Sequence, residues 1–272
     1  MRGSKLLSIA PHMTQRARPA LIEADRVQKT YGGRAGGVIA LEEVSFTICE
    51  GEFISIVGPS GCGKSTLLRL IGGLTEVTGG RILFPNLEAG RTAPRFGMVF
   101  QEAVLLPWRT VLDNIMLPVE VRGLDRKAGR ERAMQLIETV GLHGFQDRYP
   151  NELSGGMQQR ASIARALVTD PALLLMDEPF GALDALTREN MTVELERIWA
   201  ETGKTIIFVT HSISEAVLLS DRVFAMSARP ARVQEIVEIN LPRMRDLTMT
   251  TTPEFGRYVS HIRQQLSAKT DL

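Results

Sequence analysis

A glycine-rich loop between an apolar strand and a helix constrains this chain more than any other feature of its sequence. Residues 58–66 read GPSGCGKST, which matches the pattern G-x-x-x-x-G-K-S/T. The apolar run FISIV precedes this loop, and the helix-forming run KSTLLRLIGG continues from Lys64. A phosphate-binding loop requires a strand before it and a helix after it, so the sequence predicts a nucleotide site rather than a simple strand-to-helix turn.

The residues of this loop have separate predicted tasks. Glycines let backbone N–H groups surround the phosphates. Lys64 is expected to hold the β- and γ-phosphates, and Ser65 to ligate Mg²⁺. Cys62 occupies a variable position of the pattern and is given no chemistry of its own. The predicted nucleotide-binding residues of the loop are Gly58, Pro59, Ser60, Gly61, Cys62, Gly63, Lys64, Ser65 and Thr66.

Several apolar runs predict buried parallel strands. They are FISIV at 53–57, FGMVF at 96–100, ALLLM at 172–176 and TIIFVT at 205–210. Continuous apolar character is expected where helices cover both faces of a sheet. Helix-periodic stretches lie between these runs, so the order of elements predicts an α/β fold. The earlier stretches LIEADRVQ and ALEEVSFTI alternate apolar and polar residues more regularly, which predicts antiparallel strands at the edge of the sheet.

The predicted organisation is one domain at 21–240. Within it, segment 101–170 has helix-periodic runs and no clear strand, so we interpret it as a helical insertion between strands of one sheet. Residues 1–20 carry basic residues and no acid, and we expect a disordered leader. The tail, 241–272, is too short for a second domain but has apolar residues at helical spacing, which predict a short docked helix. These residues are Phe255, Val259, Ile262 and Leu266.

Charge, cysteine use and hydropathy narrow the classes of protein. The 272 residues carry a formal net charge of +1, which gives no electrostatic support for binding nucleic acid or an anionic membrane. Cys49 and Cys62 do not suggest a disulfide framework, which fits a reducing cytosol. The apolar runs are of strand length, short of the ~18–20 residues that span a bilayer. We therefore expect any role in a membrane process to be exerted from the cytosolic side, through a partner.

Two acids end the apolar run LLLM, in LLLMDEP at 173–179. Adjacent strand residues point to opposite faces, so Asp177 and Glu178 reach one site only if the strand ends between them, as Pro179 suggests. Asp177 is then predicted to bind Mg²⁺, and Glu178 to be the general base that aligns and deprotonates the attacking water. Without the phosphate loop, two acids ending a strand at the surface would be the better interpretation.

His211 follows another apolar strand, in IIFVTHS. A histidine at a strand end often serves only as a cap or a surface residue. The carboxyl ends of parallel strands meet at one edge of the sheet, however, and ligands in open α/β sheets bind at that edge. We therefore expect His211 to contact a γ-phosphate.

A second glycine pair opens another helix, in LSGGMQQR at 153–160. Adjacent glycines cost backbone entropy, but a bare backbone at a helix N-terminus suits an anion. Together with the phosphate loop, the acidic pair and GALD at 181–184, this stretch resembles the ATP-binding cassette (ABC) ATPases over roughly 21–240. The resemblance implies a RecA-like sheet core with an antiparallel β subdomain and an inserted helical subdomain.

The resemblance also implies roles for residues that are unremarkable in isolation. Tyr31, in KTYGG, would stack on adenine, and Gln101, in VFQEA, would sense Mg²⁺ and the γ-phosphate. Asp177 would hold Mg²⁺ through water, Asp184 is the acid of the GALD loop, and His211 takes the place of the switch histidine. Met157 stands where Gln is more usual, and Ser212 where Asp is frequent.

In the family that this chain resembles, two cassettes face each other head to tail, and each ATP lies between the phosphate loop of one and the glycine turn of the other. We call Ser154, Gly155 and Gly156 the signature turn. The resemblance implies ATP and Mg²⁺ as cofactors and a second ATPase subunit, expected to be a second copy of this chain. The γ-phosphate would then control closure of the pair.

A finer resemblance points to the importer ATPases for nitrate, sulfonates and taurine. It rests on FQEAVLLPWRTVLDNI, MDEPFGALDALTREN and THSISEAVLLSDRVFAMSARPARV. It implies an enzyme bound peripherally to the cytoplasmic side of the cell membrane, which drives separate permease subunits and, indirectly, a solute-binding protein. In such importers the region after Gln101 receives the permease, so its apolar residues form either a docking groove or core of the helical insertion. They are Val104, Leu105, Leu106 and Trp108.

Other classes fit this sequence less well. An importer ATPase for another small molecule is the first alternative. An ABC ATPase acting on ribosomes usually carries two cassettes, and one acting on chromosomes carries long heptad arms; this chain has one phosphate loop, one signature turn and no basic stripe. LSGGMQQR argues against a P-loop kinase or a recombinase-type ATPase.

Overall fold

Two sheets of different character form the frame of the computed structural model, which describes residues 18–32, 37–87 and 94–267. The predicted leader therefore lies almost entirely outside the described residues. One sheet has three strands in the order β2-β1-β4, and the other has six in the order β5-β6-β7-β3-β8-β9. The strands are β1 (Ala20–Tyr31), β2 (Val38–Cys49), β3 (Phe53–Val57), β4 (Gly79–Leu83), β5 (Phe96–Val99), β6 (Leu173–Asp177), β7 (Thr205–Val209), β8 (Arg222–Met226) and β9 (Val233–Glu238).

The larger sheet contains the four apolar runs predicted to be strands. Strands β5, β6, β7, β3 and β8 are parallel to their neighbours, and β9 closes the sheet in antiparallel orientation. Every residue of β3 and of β7 is buried, as expected for strands covered on both faces. The α/β prediction is confirmed, and the carboxyl ends of the parallel strands face one edge.

The smaller sheet is antiparallel, as the alternation in its first two strands predicts. Its middle strand, β1, pairs with β2 on one side and with β4 on the other. Strand β4, with the sequence GGRIL, was not predicted because it is short and begins with two glycines. Gly80 has φ +70°, and a Cβ there would lie 2.1 Å from the carbonyl oxygen of Arg26, so the close approach of β1 and β4 requires glycine.

Seven α-helices accompany the sheets. They are α1 (Lys64–Ile71), α2 (Val111–Val121), α3 (Arg126–Thr139), α4 (Gly155–Leu167), α5 (Ala185–Thr202), α6 (Ile213–Leu219) and α7 (Pro253–Ser267) within the described residues. Of these, α2, α3 and α4 lie between β5 and β6 and pack on one another. Across all the residues that the structure describes, no helix is long and apolar enough to cross a bilayer. Cys49 and Cys62 are both free thiols.

Helix α4 is anchored to the larger sheet at its C-terminal end. Gly97 of β5 lies so close to this helix that a Cβ there would be 2.3 Å from the carbonyl oxygen of Ala166. Next to it, the Arg165 guanidinium donates to the carbonyls of Ala103 (2.7 Å) and Val104 (2.8 Å). Burial lowers the pKa of Arg165 from its usual value. The same helix thus holds the chain segment that follows Gln101.

The C-terminal helix packs against the outer end of the larger sheet. Phe255 and Ile262 of α7 are buried, and Val259 and Leu266 are partly buried beside them. The segment before α7 is held by Arg245, a fully buried side chain. Its guanidinium donates to the backbone carbonyls of Val217, Leu218, Ser220, Ile239, Leu241 and Pro242. Burial lowers the pKa of Arg245 to about 10.

Candidate nucleotide and hydrolysis site

The glycine-rich loop lies at the carboxyl end of β3 and is enclosed by neighbouring backbone. Gly63, the N-cap of α1, has φ +129°, and a Cβ there would lie 2.9 Å from the carbonyl oxygen of Ala40. At Gly58 a Cβ would lie 2.9 Å from the carbonyl oxygen of Met226. A side chain at Gly63 would therefore collide with the backbone of β2, and one at Gly58 with the backbone of β8. The free N–H groups at the start of α1 leave this loop suited to an anion.

Lys64 is buried, with an exposed fraction of 4%. Its ammonium donates to the carbonyls of Gly58 and Pro59, both at 3.0 Å. The nearest carboxylate oxygen recorded for it is Glu178 Oε1, 4.0 Å from Nζ, which is beyond hydrogen-bond distance. A buried ammonium held by neutral carbonyls, with no carboxylate at hydrogen-bond distance, has the geometry expected of a residue that binds phosphate.

The next residue of α1 connects the loop to the acidic pair. Ser65 donates from its hydroxyl to Asp177 Oδ1 at 2.8 Å. Hydroxyl and carboxylate oxygens are ligands that Mg²⁺ prefers, and Mg²⁺ is commonly held by one or two carboxylates together with phosphates and water. Among the described residues there is no cluster of three or more His, Cys, Asp or Glu able to hold a metal by itself. The donor set therefore fits Mg²⁺ bound together with a nucleotide.

The two acids reach the same edge of the sheet because the backbone changes conformation between them. Strand β6 ends at Asp177, and Glu178 has φ +48°, a left-handed conformation that is uncommon outside glycine. Its N–H donates to the carbonyl of Val209 at 2.9 Å, and its carbonyl accepts from Gly181 N at 2.9 Å. The strand ends between the acids, as the sequence predicted. The two backbone hydrogen bonds stabilise the left-handed conformation of Glu178, and this conformation directs its side chain to the edge of the sheet.

His211 lies beside Glu178, at the end of the neighbouring strand β7. The distance from His211 Nδ1 to Glu178 Oε2 is 3.4 Å, and the histidine side chain is 51% exposed. The carboxylate of Glu178 is thus placed between a histidine and a lysine at the carboxyl edge of the sheet. Such a carboxylate is placed to accept a proton from water above the glycine-rich loop.

Gln101 lies against the loop that follows the acids. A Cβ on Gly181 would lie 2.9 Å from Gln101 Nε2, so the exposed amide of Gln101 would have to move if residue 181 carried a side chain. The residue before it, Phe100, accepts a hydrogen bond through its carbonyl from Gln159 Nε2 of α4 at 3.1 Å. Gln101 therefore sits at the junction of the sheet, the loop 181–184 and the inserted helices.

The signature turn forms the N-terminus of α4, at a different place from the glycine-rich loop. Ser154 is the N-cap and accepts through Oγ from Met157 N at 3.3 Å. A Cβ on Gly155 would lie 3.5 Å from Leu183 Cδ2, and one on Gly156 would lie 2.7 Å from Thr187 Cγ2. Among the described residues, no hydrogen bond connects this turn with residues 58–66.

Asp184 and Tyr31 are both exposed. Asp184 caps α5, and its side-chain hydrogen bond with Thr187, followed by the Thr187 backbone N–H at 3.0 Å, lowers the pKa of the carboxyl. Tyr31 ends β1, opposite Val38 of β2, and is 42% exposed, with Lys29 Nζ 5.1 Å from its ring centroid. The structure thus leaves the tyrosine ring accessible, and stacking on adenine stays a prediction.

Sequence reasoning missed several residues that support this edge. Arg165, which holds the carbonyls of residues 103 and 104, reads in the sequence as one more basic residue of a helix. Thr210 and Glu215, which form a 2.6 Å hydrogen bond beneath His211, carry no motif. The one signal in the sequence was the position of Thr210, directly before His211 at the end of a predicted strand.

Comparisons with known proteins identify the family of this chain. The family model described as "ABC transporter" matches residues 41–181. The Nitrate import ATP-binding protein NrtC of Synechococcus elongatus is 45% identical over 257 residues, which cover 91% of this chain and 39% of that protein. The Taurine import ATP-binding protein TauB of Rhizobium johnstonii is 42% identical over 258 residues, covering 93% of this chain and 98% of that protein.

A solved structure is similar as well. The ATP-binding cassette MJ0796, in a dimeric post-hydrolysis state bound to ADP and Pi, superposes with a TM-score of 0.69 at 34% identity. The match covers 82% of this chain and all of that one. With a family match over half of the sequence, close relatives of nearly equal length and the same fold, this chain belongs to the ABC transporter family as an ATP-binding cassette.

Proposed function

We propose that this chain is the ATP-hydrolysing subunit of an ABC importer and that it energises uptake of a small anionic solute, of the nitrate, alkanesulfonate or taurine class, through a separate permease. The observation that carries the proposal is the arrangement of Lys64, Glu178 and His211 at one sheet edge in a chain whose relatives are named import proteins. A phosphate-binding lysine and a residue that positions or activates the attacking water recur in phosphoryl-transfer sites, and here His211 lies beside the carboxylate of Glu178.

Each residue of the edge has a task in hydrolysis. Lys64 binds the β- and γ-phosphates, and the backbone N–H groups of the loop surround them. Glu178 accepts a proton from the attacking water, and His211 contacts the γ-phosphate and steadies Glu178. Ser65, Asp177 acting through water, and Gln101 would hold Mg²⁺. When bound, this ion neutralises charge on the transferred phosphoryl group.

The complete site is shared between two copies of the chain. The signature turn presents two glycines and the N-terminal end of a 13-residue helix, yet it has no recorded hydrogen bond to its own phosphate loop among the described residues. A helix N-terminus attracts anions, so we infer that this turn binds the γ-phosphate held by a partner copy. The dimeric state of the similar cassette supports a dimer, and we infer that this chain forms a homodimer with two ATP molecules at its interface.

The permease docks on a groove beside Gln101. This groove has a volume of about 470 Å³ and is lined mainly by apolar side chains of β5, α2 and the segment after Gln101. Phe100, Val104 and Val121 line it with exposed fractions of 43%, 59% and 76%, and Trp108 nearby is 71% exposed. Contiguous exposed apolar surface marks interaction sites. Leu105, in contrast, packs against the core. We therefore assign the exposed Val104 and Trp108 to the docking surface and Leu105 to the core of the helical insertion.

This assignment makes the chain a peripheral protein at the cytoplasmic face of the membrane, attached through the permease. A solute-binding protein on the other side of the membrane would supply the solute and act on this chain only through the permease. The alternatives are an importer ATPase for another small molecule and, with less support, an ABC ATPase without a transport role.

Reconstitution tests the proposal. The full chain is placed in proteoliposomes with a candidate permease and its solute-binding protein from the same organism, together with ATP and Mg²⁺, and uptake of labelled nitrate, taurine and an alkanesulfonate is measured. We expect ATP-dependent uptake of one of these anions, with hydrolysis stimulated by the loaded solute-binding protein. If the rate of ATP hydrolysis is the same with and without the permease, and the chain co-purifies with ribosomes, the non-transport alternative is favoured.

A further inference from the structure

A partly buried run of polar contacts connects the loop 181–184 with the loop that holds His211. Its first member is Arg188 of α5, whose Nη2 donates to the carbonyl of Leu183 at 3.1 Å. The backbone N–H of Arg188 donates to the carbonyl of Asp184 at 2.9 Å. The guanidinium is therefore tied to the loop that caps this helix.

Glu215 of α6 is the second member. Its Oε1 lies 3.8 Å from Arg188 Nε, and its Oε2 accepts from the Thr210 hydroxyl at 2.6 Å. The hydroxyl oxygen of Thr210 accepts in turn from Ser212 N at 3.0 Å, and Thr210 N donates to the carbonyl of Ile56 at 3.2 Å. Thr210 and Ser212 are the two neighbours of His211, so the carboxylate of Glu215 fixes the backbone from which that histidine extends.

The first link of this run is incomplete. Arg188 Nε is buried and has no hydrogen-bond partner, because 3.8 Å is too long for a hydrogen bond to Glu215. The side chain of Glu215 is only 10% exposed. Burial raises the pKa of its carboxyl, while the Thr210 hydrogen bond and the charges of Arg188 and His211 lower it. The Arg188 side chain is 31% exposed, so the pair is only partly buried, but its Nε–H is a buried donor left without an acceptor, and such a donor calls for an explanation.

We propose that Arg188 and Glu215 are positioning residues that transmit the placement of the loop 181–184 to His211, and thereby set its distance from Glu178. This inference rests on the ATPase reaction proposed above. The loop 181–184 is the partly exposed segment against which the signature turn packs. A displacement of Leu183 on closure of two copies moves Arg188, closes the 3.8 Å gap to Glu215 and, through Thr210, fixes His211. Hydrolysis then proceeds only when the loop is in place.

Single and double variants test this coupling in the full-length protein. In Glu215→Gln and in Arg188→Met we expect kcat for ATP hydrolysis to fall at least ~10-fold, because a small misplacement of a catalytic group has effects of that order. The KM for ATP and ATP-dependent dimerisation should change by no more than ~2-fold, since neither residue belongs to the glycine-rich loop or to the signature turn that we propose bind ATP. The double variant should be no worse than the more impaired single variant, because both changes break the same link.

The chain provides a matched control. Glu196, on the same helix as Arg188, is also buried, its pKa is also raised by burial, and it pairs with an arginine, Arg243, at 3.1 Å. We expect Glu196→Gln to lower the midpoint of thermal unfolding without changing kcat per nucleotide-binding site. Loss of a buried ion pair alone would then be excluded as the cause of the effect at Glu215.

Three results would overturn the inference while leaving the ATPase assignment intact. They are unchanged kcat in both single variants, losses that add in the double variant, and an activity loss that merely follows the folded fraction measured by circular dichroism. If Glu215→Gln does not fold, Thr210→Val breaks the same run at its other end and must show the same selective loss of kcat. An inactive wild-type protein would instead count against the proposed function.

Discussion

Replacement of Glu178 by glutamine separates proton acceptance from the other contacts at the sheet edge. Glutamine has nearly the same shape and retains an oxygen that can accept from His211, whose Nδ1 lies 3.4 Å from Glu178 Oε2. It removes the negative charge that lies 4.0 Å from Lys64 Nζ. The substitution therefore asks whether a carboxylate is required for the chemistry or only for binding.

Two magnitudes follow from this geometry. Loss of a positioned general base lowers the rate ~10²–10⁴-fold, which corresponds to ~3–5 kcal/mol in the activation barrier. At 4.0 Å the attraction between Glu178 and Lys64 amounts to ~4 kcal/mol for an effective dielectric constant of about 20. Since the Glu178 side chain is 28% exposed, water screens part of this attraction. Without its competing carboxylate, Lys64 binds phosphate as well as before or better.

Phosphate release in the steady state measures kcat, and calorimetry with light scattering measures ATP affinity and dimerisation. We expect kcat of Glu178→Gln to fall at least ~100-fold, with ATP affinity undiminished and with stable ATP-bound dimers. Glu131→Gln, an exposed change on α3, should keep wild-type values. Wild-type turnover in Glu178→Gln, or parallel loss of binding and turnover, would refute the general-base assignment.

Three further changes test other parts of the structure. Ser154→Arg and Lys64→Ala should each abolish turnover alone, but mixing them should restore part of it, because a mixed dimer has one intact shared site; a mixture with no activity would contradict the head-to-tail arrangement. Arg245→Met should lower the free energy of unfolding by about 3–5 kcal/mol in denaturant titrations, since it leaves buried carbonyls without a donor; a change under about 1 kcal/mol would mean that water replaces the guanidinium. Asp184→Asn keeps the helix cap and removes the charge. Because hydrogen bonds to Thr187 hold the folded-state pKa of Asp184 below its ordinary value of 3.8, the stabilisation by the ionised carboxylate is fully present above pH 3.8 and is lost as the pH falls through the folded-state pKa. The variant should therefore be less stable near pH 7 and approach the wild type in acid, and a difference that is independent of pH would exclude the charge as its source.

The parts of the site that depend on local sequence could be predicted. The run FISIV followed by GPSGCGKST determines a buried strand, a loop and a helix within one stretch of chain, and these elements form as expected. The acidic pair could be placed at the same edge because parallel strands share their carboxyl ends.

Other features depend on contacts between distant segments and had no local pattern. The left-handed conformation of Glu178 is held by Val209 of the neighbouring strand and by Gly181. The gap between Arg188 and Glu215 exists only because α5 and α6 pack side by side. Strand β4 is short and rich in glycine, so its pairing with β1 had no counterpart in hydrophobic periodicity.

The close contact between Gly97 and the carbonyl of Ala166 gives α4 the mechanical character of a lever. The fulcrum is at the C-terminal end of the helix, and the signature turn is at the opposite end, the tip, where it packs against the loop 181–184. A helix of 13 residues is about 20 Å long, so a tilt of about 10° at the fulcrum moves the tip by about 3.4 Å, roughly the length of a hydrogen bond. Gly97 and Ala166 also line the apolar groove beside Gln101. The groove where we propose that the permease docks and the turn that we propose binds the partner's γ-phosphate therefore lie at opposite ends of one helix, and a tilt of that helix moves the turn when the groove changes shape.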